Sequence, residues 1–306
     1  GRKFKSCSRN HLKTPTTPWA FCLAPLRRHT VMNLSFTDVA LQAKRIELKT
    51  DHGVQCWHVW HHGAGSPLIL LHGGSGSWTH WVRNVMALSQ DREVWAVDLP
   101  GMGDSEMPPG AQDANDLHHP LEAGLQQLFG PSSIDMVGFS FGGLVLGYLA
   151  AIHPERVKRM VMVGIPGLGL SNQITHMRGF REGMSQQERL QVHQHNLNAL
   201  MLHDTTLIDD ELLHQQEHNV IRDRLRRRRI ARSDAMLTWM PQWRCPVHGI
   251  WGEHDALYQG KLEALKERLA GCQLQSFHTV PNAGHWVQYE QPDAFNQRLQ
   301  ACLPRG

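Results

Sequence analysis

A short apolar strand, a Gly-x-Ser-x-Gly turn and a buried helix follow one another at residues 134–151, and this stretch constrains the fold most. Residues 134–137 are apolar enough for a buried strand, and residues 144–151 have the composition of a buried helix. A serine in so tight a turn has a strained backbone, and the flanking glycines lack the Cβ atoms that would clash there. The turn therefore predicts that the Ser140 hydroxyl is lifted out of a sheet, beside the amide of Phe141.

Further strand-like and helix-like segments alternate along the chain, which is typical of α/β folds. Two alternating runs, residues 45–49 and 54–60, predict a hairpin with one solvated face. The later apolar runs are residues 68–71, 93–98, 157–164, 246–252 and 275–280. We therefore expect a mostly parallel central sheet flanked by helices, with right-handed crossovers.

The alternation stops between residues 167 and 244, where no segment has a strand pattern. This region is rich in Gln, His, Met and Arg, with helical stretches near residues 186–202 and 209–232. We predict a helical cap, or lid, of residues 167–244 inserted into a core domain of residues 32–166 and 245–306. The arginine run at residues 222–229 is interpreted as the solvated face of a cap helix.

Residues 1–31 differ in composition from the rest of the chain. They contain seven Lys or Arg and no Asp or Glu, so the remainder is mildly acidic although the whole chain has a net charge of +3. This distribution gives no support to a nucleic-acid partner. We expect an unstructured basic segment, either a transit-type leader or, preferably, a non-native extension that ends at Met32.

Composition also bears on membranes, redox state and metals. No apolar run reaches the roughly 18 residues of a membrane-spanning helix, so no stable membrane insertion is predicted. The six cysteines are scattered without a CxxC pair, which favours free thiols and a cytoplasmic location. The spaced histidines at 193 and 195, and at 214 and 218, lack a third ligand. We assign them to solvated helix faces and predict no metal and no cofactor.

Three residues that follow predicted strands could act together: Ser140, Asp255 and His285. The carboxyl ends of parallel strands meet at one edge of a sheet, so we expect these side chains to lie close together. A serine hydroxyl is a poor nucleophile at neutral pH, so a histidine must take its proton and an acid must orient that histidine. We assign these roles to His285 and Asp255. Glu253 is a rival acid, but Asp255 lies further round the turn and is preferred.

A glycine-rich loop at residues 72–77 follows the strand predicted at residues 68–71. Without side chains in the way, its N–H groups can approach a developing negative charge. We therefore predict that the amides of Gly74 and Phe141 form an oxyanion hole.

These motifs resemble those of the α/β-hydrolase superfamily over residues 43–304. Within that superfamily the chain is similar to the capped group that holds carboxylesterases and the hydrolases of aromatic ring-cleavage products. The segments that carry the resemblance are residues 71–74, 98–105, 138–143, 251–255 and 284–286. The resemblance implies the fold and a hydrolase activity, whereas the substrate depends on the individual site.

Aromatic residues near the motifs suggest an apolar pocket without a dedicated anion-binding group. We assign Phe139, Trp78, Trp81 and Trp286 to its lining. The leading hypothesis is therefore a serine hydrolase that cleaves carboxylic esters with small to medium apolar acyl groups through an acyl-serine intermediate. Its partner is then a small-molecule apolar ester, and a homodimer is left open.

Two other functions are weighed. The first is a carbon–carbon bond hydrolase of aromatic meta-cleavage products, because such enzymes have a tryptophan after the catalytic histidine, as Trp286 follows His285 here. However, Phe139 stands where that pattern usually has Asn, and no lid arginine follows Glu211 where one is expected. The third hypothesis is a ligand receptor that keeps the hydrolase fold and signals through lid movement.

Overall fold

The computed structural model describes residues 1, 34–61, 65–172, 176–225 and 228–304. The described residues from 34 to 304 belong to one compact unit. The basic segment of residues 1–31, predicted as a leader or a non-native extension, lies outside the described residues apart from Gly1.

One sheet organises this unit. Its strands are β1 (Lys44–Thr50), β2 (Gly53–His61), β3 (Pro67–Leu71), β4 (Glu93–Val97), β5 (Ile134–Phe139), β6 (Val157–Val163), β7 (Val247–Gly252) and β8 (Leu274–Val280). Their order across the sheet is β1-β2-β4-β3-β5-β6-β7-β8. Strand β2 pairs antiparallel with β1 and β4, whereas β3 to β8 are parallel to one another. The prediction of a mostly parallel sheet is confirmed.

Helices connect the strands. The α-helices are α1 (Phe36–Leu41), α2 (Val85–Leu88), α3 (His118–Phe129), α4 (Phe141–Ile152), α5 (Gln186–Asn196), α6 (Asp210–Ile221), α7 (Met236–Trp239), α8 (Leu262–Leu269), α9 (Val287–Glu290) and α10 (Pro292–Cys302). Short 3₁₀ turns lie at Trp78–Trp81, Ala114–Leu117, Pro154–Arg156, Thr205–Leu207, Ile230–Arg232 and Met240–Gln242, and a π-helical turn lies at Leu197–Met201. Within the described ranges no helix has both the length and the apolar character to cross a bilayer.

The sheet has a hydrophobic cluster on each face. Successive side chains of a strand point to opposite faces, and in β3 Ile69 and Leu71 belong to one cluster while Leu68 and Leu70 belong to the other. Side chains of α3, α4 and α8 complete the first cluster, and those of α2, α9 and α10 complete the second. Burial on both faces explains why the parallel strands are apolar throughout.

The predicted hairpin is present as β1 and β2, but its solvated face is confined to β1, where Arg45, Glu47 and Lys49 are exposed. Strand β2 is buried on both faces, and even its polar residues Gln55 and His58 are only 2% and 6% exposed. Gln55 reaches the start of α3, while the ring of His58 lies 5.3 Å from that of Trp78. The prediction was therefore wrong for β2, whose two faces pack into the two hydrophobic clusters.

Residues 167–244 are inserted between β6 and β7. The described part of this inserted segment contains helices and no strand. Helix α6 ends at Ile221, short of the predicted end at residue 232, because the chain then turns back to the core. Here the backbone N–H of Arg224 donates to Gly101 O at 2.8 Å, and the Arg224 guanidinium donates to Gly103 O at 3.2 Å.

The arginine run is therefore not a solvated helix face in its described part. Arg222 pairs with Asp104, and Arg228 pairs with Asp223. Residues 226 and 227 of the run lie outside the described residues. The exact boundaries of a cap stay a prediction.

Candidate active site

The turn after β5 has the geometry that the motif predicts. Ser140 precedes α4 with a φ of 49°, in the left-handed region that non-glycine residues seldom adopt. Its N–H donates to Val163 O of β6 at 2.8 Å. A Cβ atom on Gly138 would lie only 2.6 Å from the Cα atom of Gly143. Glycine is required here because strand and helix backbones touch, and the turn holds the serine at the sheet edge.

The structure brings Ser140, His285 and Asp255 together. The Nε2 atom of His285 lies 3.0 Å from Ser140 Oγ, and its Nδ1 atom lies 3.0 Å from both carboxylate oxygens of Asp255. His285 is 1% exposed and Asp255 is fully buried. The rival acid Glu253 instead points outward, with its carboxylate 3.7 Å from His254. Of the two acids, Asp255 is therefore the one that contacts the imidazole.

A buried carboxylate that the sequence did not single out fixes the backbone beside His285. Glu290 accepts from the N–H of Gly284 at 2.5 Å, and from the N–H groups of His203 and Asp204 at 2.8 Å each. Burial raises the pKa of Glu290, although these three amide bonds act in the opposite direction. Glu290 therefore links the loop that carries His285 to the inserted segment.

A buried histidine, His80, contacts the glycine-rich loop of residues 72–77. The N–H of Gly73 donates to Nδ1 of His80 at 3.1 Å. Burial, and then the nearby His72, His285 and Arg228, lower the pKa of His80 well below its ordinary value. His80 is therefore neutral near pH 7, and its Nδ1 atom keeps the lone pair that accepts this bond.

The two predicted oxyanion donors, Gly74 and Phe141, lie under one arginine side chain. A Cβ atom on Gly74 would be 2.7 Å from Arg228 Nη1, and Arg228 Cζ is 5.2 Å from the centroid of the Phe141 ring. A positive charge thus lies beside both residues. The sequence assigned no role to Arg228, since its position in an arginine run favoured solvent.

The four aromatic residues predicted to line the pocket lie in the core. Phe139, Trp78, Trp81 and Trp286 belong to one buried hydrophobic cluster. Trp286 donates its ring N–H to His80 O at 2.9 Å, and the Phe139 ring lies 5.1 Å from the ring of His285. With exposures of 8% or less, these side chains present no open pocket wall in this structure, because closeness to a motif in sequence does not decide which side of the backbone a ring occupies.

A cavity of about 430 Å³ lies beside the glycine-rich loop. It is lined by Ser75, Phe180, Arg189, His193, Glu217, Val220, Ile221, Asp223 and Arg228. Its wall combines apolar side chains with two ion pairs, Arg189–Glu217 and Arg228–Asp223. The cavity is more polar than the predicted aromatic pocket. His193, assigned above to a solvated face, is buried in this wall.

One buried group in the described part of the chain has metal-type ligands: Cys56, His58 and Asp98. The two oxygens of Asp98 already accept backbone N–H groups, from Trp78 at 2.9 Å and from Asp104 at 2.9 Å. Burial, and then the charge of Asp98, raise the pKa of the Cys56 thiol to about 12. With both carboxylate oxygens in hydrogen bonds and Cys56 Sγ 3.6 Å from His58 Nε2, these side chains form a hydrogen-bonded cluster, and the absence of a metal stays a prediction.

Comparisons with known proteins agree with this geometry. The family model "Alpha/beta hydrolase family" matches residues 68–298. The 2-hydroxymuconate semialdehyde hydrolase of Pseudomonas sp. (strain CF600) is 28% identical over 76% of this chain and 85% of its own. The 2-hydroxy-6-oxo-6-phenylhexa-2,4-dienoate hydrolase of Burkholderia cepacia is 26% identical over 80% and 90%.

Among solved structures, carboxylesterase CesB from Bacillus subtilis superposes with a TM-score of 0.72. It is 22% identical and covers 86% of this chain and 92% of its own, a level that shows the shared fold. The predictions of a hydrolase and of its fold are confirmed. Because the family model spans three quarters of the sequence, the chain belongs to the alpha/beta hydrolase family.

Proposed function

We propose that this protein is a serine hydrolase that cleaves carboxylic esters through an acyl-serine intermediate. The observation that carries the proposal is the pair of contacts made by His285, 3.0 Å to Ser140 Oγ and 3.0 Å to the Asp255 carboxylate. With Nδ1 protonated toward Asp255, the free lone pair of Nε2 faces the serine hydroxyl, which is the arrangement of a general base.

The reaction follows from these contacts. Ser140 Oγ attacks the ester carbonyl as its proton passes to His285 Nε2. The amides of Gly74 and Phe141 hold the oxyanion of the tetrahedral intermediate, and its collapse releases the alcohol with the proton from His285. Water, activated by His285 in turn, then releases the acid from Ser140.

The inserted segment is proposed to act as a cap over this site. Two contacts with the catalytic loops support the proposal. The backbone N–H of Trp286 donates to Met201 O at 2.8 Å, and Ser75 Oγ donates to Asp223 at 2.7 Å. We place a small to medium acyl group in the cavity that this segment forms with Ser75, where Phe180, Val220 and Ile221 supply apolar side chains. The cytoplasmic location and the homodimer stay predictions.

A second candidate is hydrolysis of a carbon–carbon bond in a meta-cleavage product. The activities named for the two hydrolases compared above favour it, and Arg228 places a cation beside the predicted oxyanion hole. The buried Phe139 before the nucleophile keeps it second, because it leaves no polar side chain at that position.

A substrate panel separates the two candidates. Purified protein is assayed with p-nitrophenyl esters from acetate to octanoate and with 2-hydroxy-6-oxo-6-phenylhexa-2,4-dienoate. We expect kcat/KM to be highest for a short or medium ester and at least about tenfold lower for the dienoate. The reverse order would replace ester hydrolysis by the second candidate, and no turnover of any substrate would contradict both.

A further inference from the structure

Ser75, the residue after Gly74, has a backbone conformation that serine does not favour. Its φ is 48°, and in the described part of the chain only Ser140 and Asn282 share this property among non-glycine residues. A left-handed serine persists only where its surroundings hold it. The neighbouring positions 73, 74 and 76 are glycines, so the backbone on both sides gives little resistance to rotation.

The group that holds Ser75 comes from the inserted segment. Ser75 Oγ donates to Asp223 Oδ2 at 2.7 Å and accepts from Arg228 Nη1 at 3.2 Å. Asp223 is nearly buried, and its other oxygen accepts the N–H of Leu225 at 3.1 Å. Its carboxylate therefore has a fixed position, and a charge-assisted bond of this length is among the stronger side-chain contacts.

A second contact anchors the far end of the glycine-rich loop. Ser77 Oγ donates to Asn219 Oδ1 at 2.9 Å, and Asn219 Nδ2 donates to Thr79 Oγ1 at 3.0 Å. With the chain fixed at residues 77–79, a change of φ at Ser75 is absorbed by the neighbouring glycines, Gly74 among them. The orientation of the Gly74 amide therefore depends on the conformation of Ser75.

We propose that Asp223 is a positioning residue for the oxyanion hole: it holds Ser75 in the left-handed conformation and thereby directs the Gly74 amide toward the reacting carbonyl. The proposal rests on the proposed function, because it assigns that amide to the oxyanion. It also means that the site is complete only while the end of α6 is docked on the glycine-rich loop.

Two substitutions of Ser75 test the proposal because they differ in one property. Ser75→Ala and Ser75→Gly both remove the hydroxyl, but only glycine adopts a φ of 48° without strain. Loss of an oxyanion donor lowers kcat by about 10²–10³-fold. In Ser75→Ala the donor is misplaced rather than lost, so we expect kcat to fall roughly 10- to 100-fold. We expect KM to change less than about threefold. We expect Ser75→Gly to retain at least about fivefold more kcat than Ser75→Ala.

Asp223→Ala is expected to match the kcat loss of Ser75→Ala, and in a Ser75→Gly background the same change should cost less than about threefold. Asp223→Asn, which keeps an acceptor for Ser75, should restore most of the activity. Glu188→Ala is the matched control. It removes an acidic side chain of the same segment that accepts a serine hydroxyl, Ser185 Oγ at 2.9 Å, away from the site. We expect its kcat to equal that of the wild type.

Equal losses in Ser75→Ala and Ser75→Gly would overturn the proposal, because the hydroxyl rather than the backbone conformation would then matter. The proposal would also be overturned if Asp223→Ala lowered kcat equally in the wild type and in Ser75→Gly. A rise in KM without a fall in kcat would overturn it as well. If Asp223→Ala does not fold, the comparison of Ser75→Ala with Ser75→Gly still tests the proposal. A wild type inactive on every ester would instead overturn the proposed function and this inference with it.

Discussion

Asp255→Asn is expected to lower kcat for p-nitrophenyl ester hydrolysis by about 10⁴-fold, with the protein still folded. The carboxylate lies 3.0 Å from His285 Nδ1, and its charge holds the tautomer that leaves Nε2 free to take the serine proton. An amide in its place can donate to Nδ1 and stabilise the wrong tautomer. Steady-state kinetics with a circular dichroism spectrum of the variant checks this prediction.

Glu253→Gln is the matched control. Glu253 lies two residues from Asp255 on the same loop but is directed toward His254 at the surface. Its kcat should stay within about twofold of the wild type. If Glu253→Gln were the damaging change and Asp255→Asn the mild one, Glu253 would be the orienting acid and our assignment would be wrong.

Asp135→Asn is expected to have the largest effect on stability, about 3–5 kcal/mol of unfolding free energy. Asp135 is 1% exposed. It accepts from Arg159 at 2.6 and 2.7 Å and also from Arg92, which itself is nearly buried. An amide would leave the charge of Arg92 buried without a counter-charge. Urea unfolding at pH 7 measures the difference from the wild type.

The contacts of Asp135 with Arg92 and Arg159 also make the stability of the protein depend on pH. Burial alone would raise the pKa of Asp135, but hydrogen bonds and charges from Arg159 and Arg92 outweigh it and lower the pKa. A carboxyl with a lowered folded-state pKa stabilises the protein fully above its unfolded pKa of about 3.9, and this contribution is lost as the pH falls through the folded-state value. The stability gap between wild type and Asp135→Asn should therefore narrow only below about pH 4.

Glu47→Gln provides the comparison for Asp135. Glu47 pairs with Arg45 at 2.6 Å, but both side chains are about half exposed. Exposed pairs contribute about 0–1 kcal/mol, so this variant should unfold almost as the wild type does. A loss as large as that of Asp135→Asn would contradict the role that we give to burial.

The residues that the sequence located best are those fixed by local backbone rules. Three such residues, Ser140, Asp255 and His285, each follow a strand in the parallel part of the sheet. The predicted strand ends were therefore enough to indicate that their side chains lie close together. The glycine at 138 has a comparable local reason, since strand and helix backbones touch beside it. Such features depend on residues close in sequence and on the common direction of the strands.

Features that depend on distant packing were missed. Asp223 meets Ser75 across 148 residues, and nothing in the composition of an arginine-rich run distinguishes a contact with the core from a solvated helix. Packing had the same effect on β2: its alternating pattern suggested a solvated face, but Gln55 contacts α3 and His58 contacts Trp78. The rings of Trp78 and Trp286 were assigned to the pocket for a similar reason, because sequence does not give the direction of a side chain in a loop.

The most direct test of the central claim, that Ser140 is the nucleophile, is covalent labelling. Wild type and Ser140→Ala are incubated with a fluorophosphonate, digested and mapped by mass spectrometry, with ester hydrolysis measured in parallel. We predict a single adduct on Ser140 in the wild type, with ester hydrolysis lost in proportion to labelling, and neither adduct nor turnover in Ser140→Ala. An adduct on another residue, or ester hydrolysis that persists in Ser140→Ala, would contradict the claim.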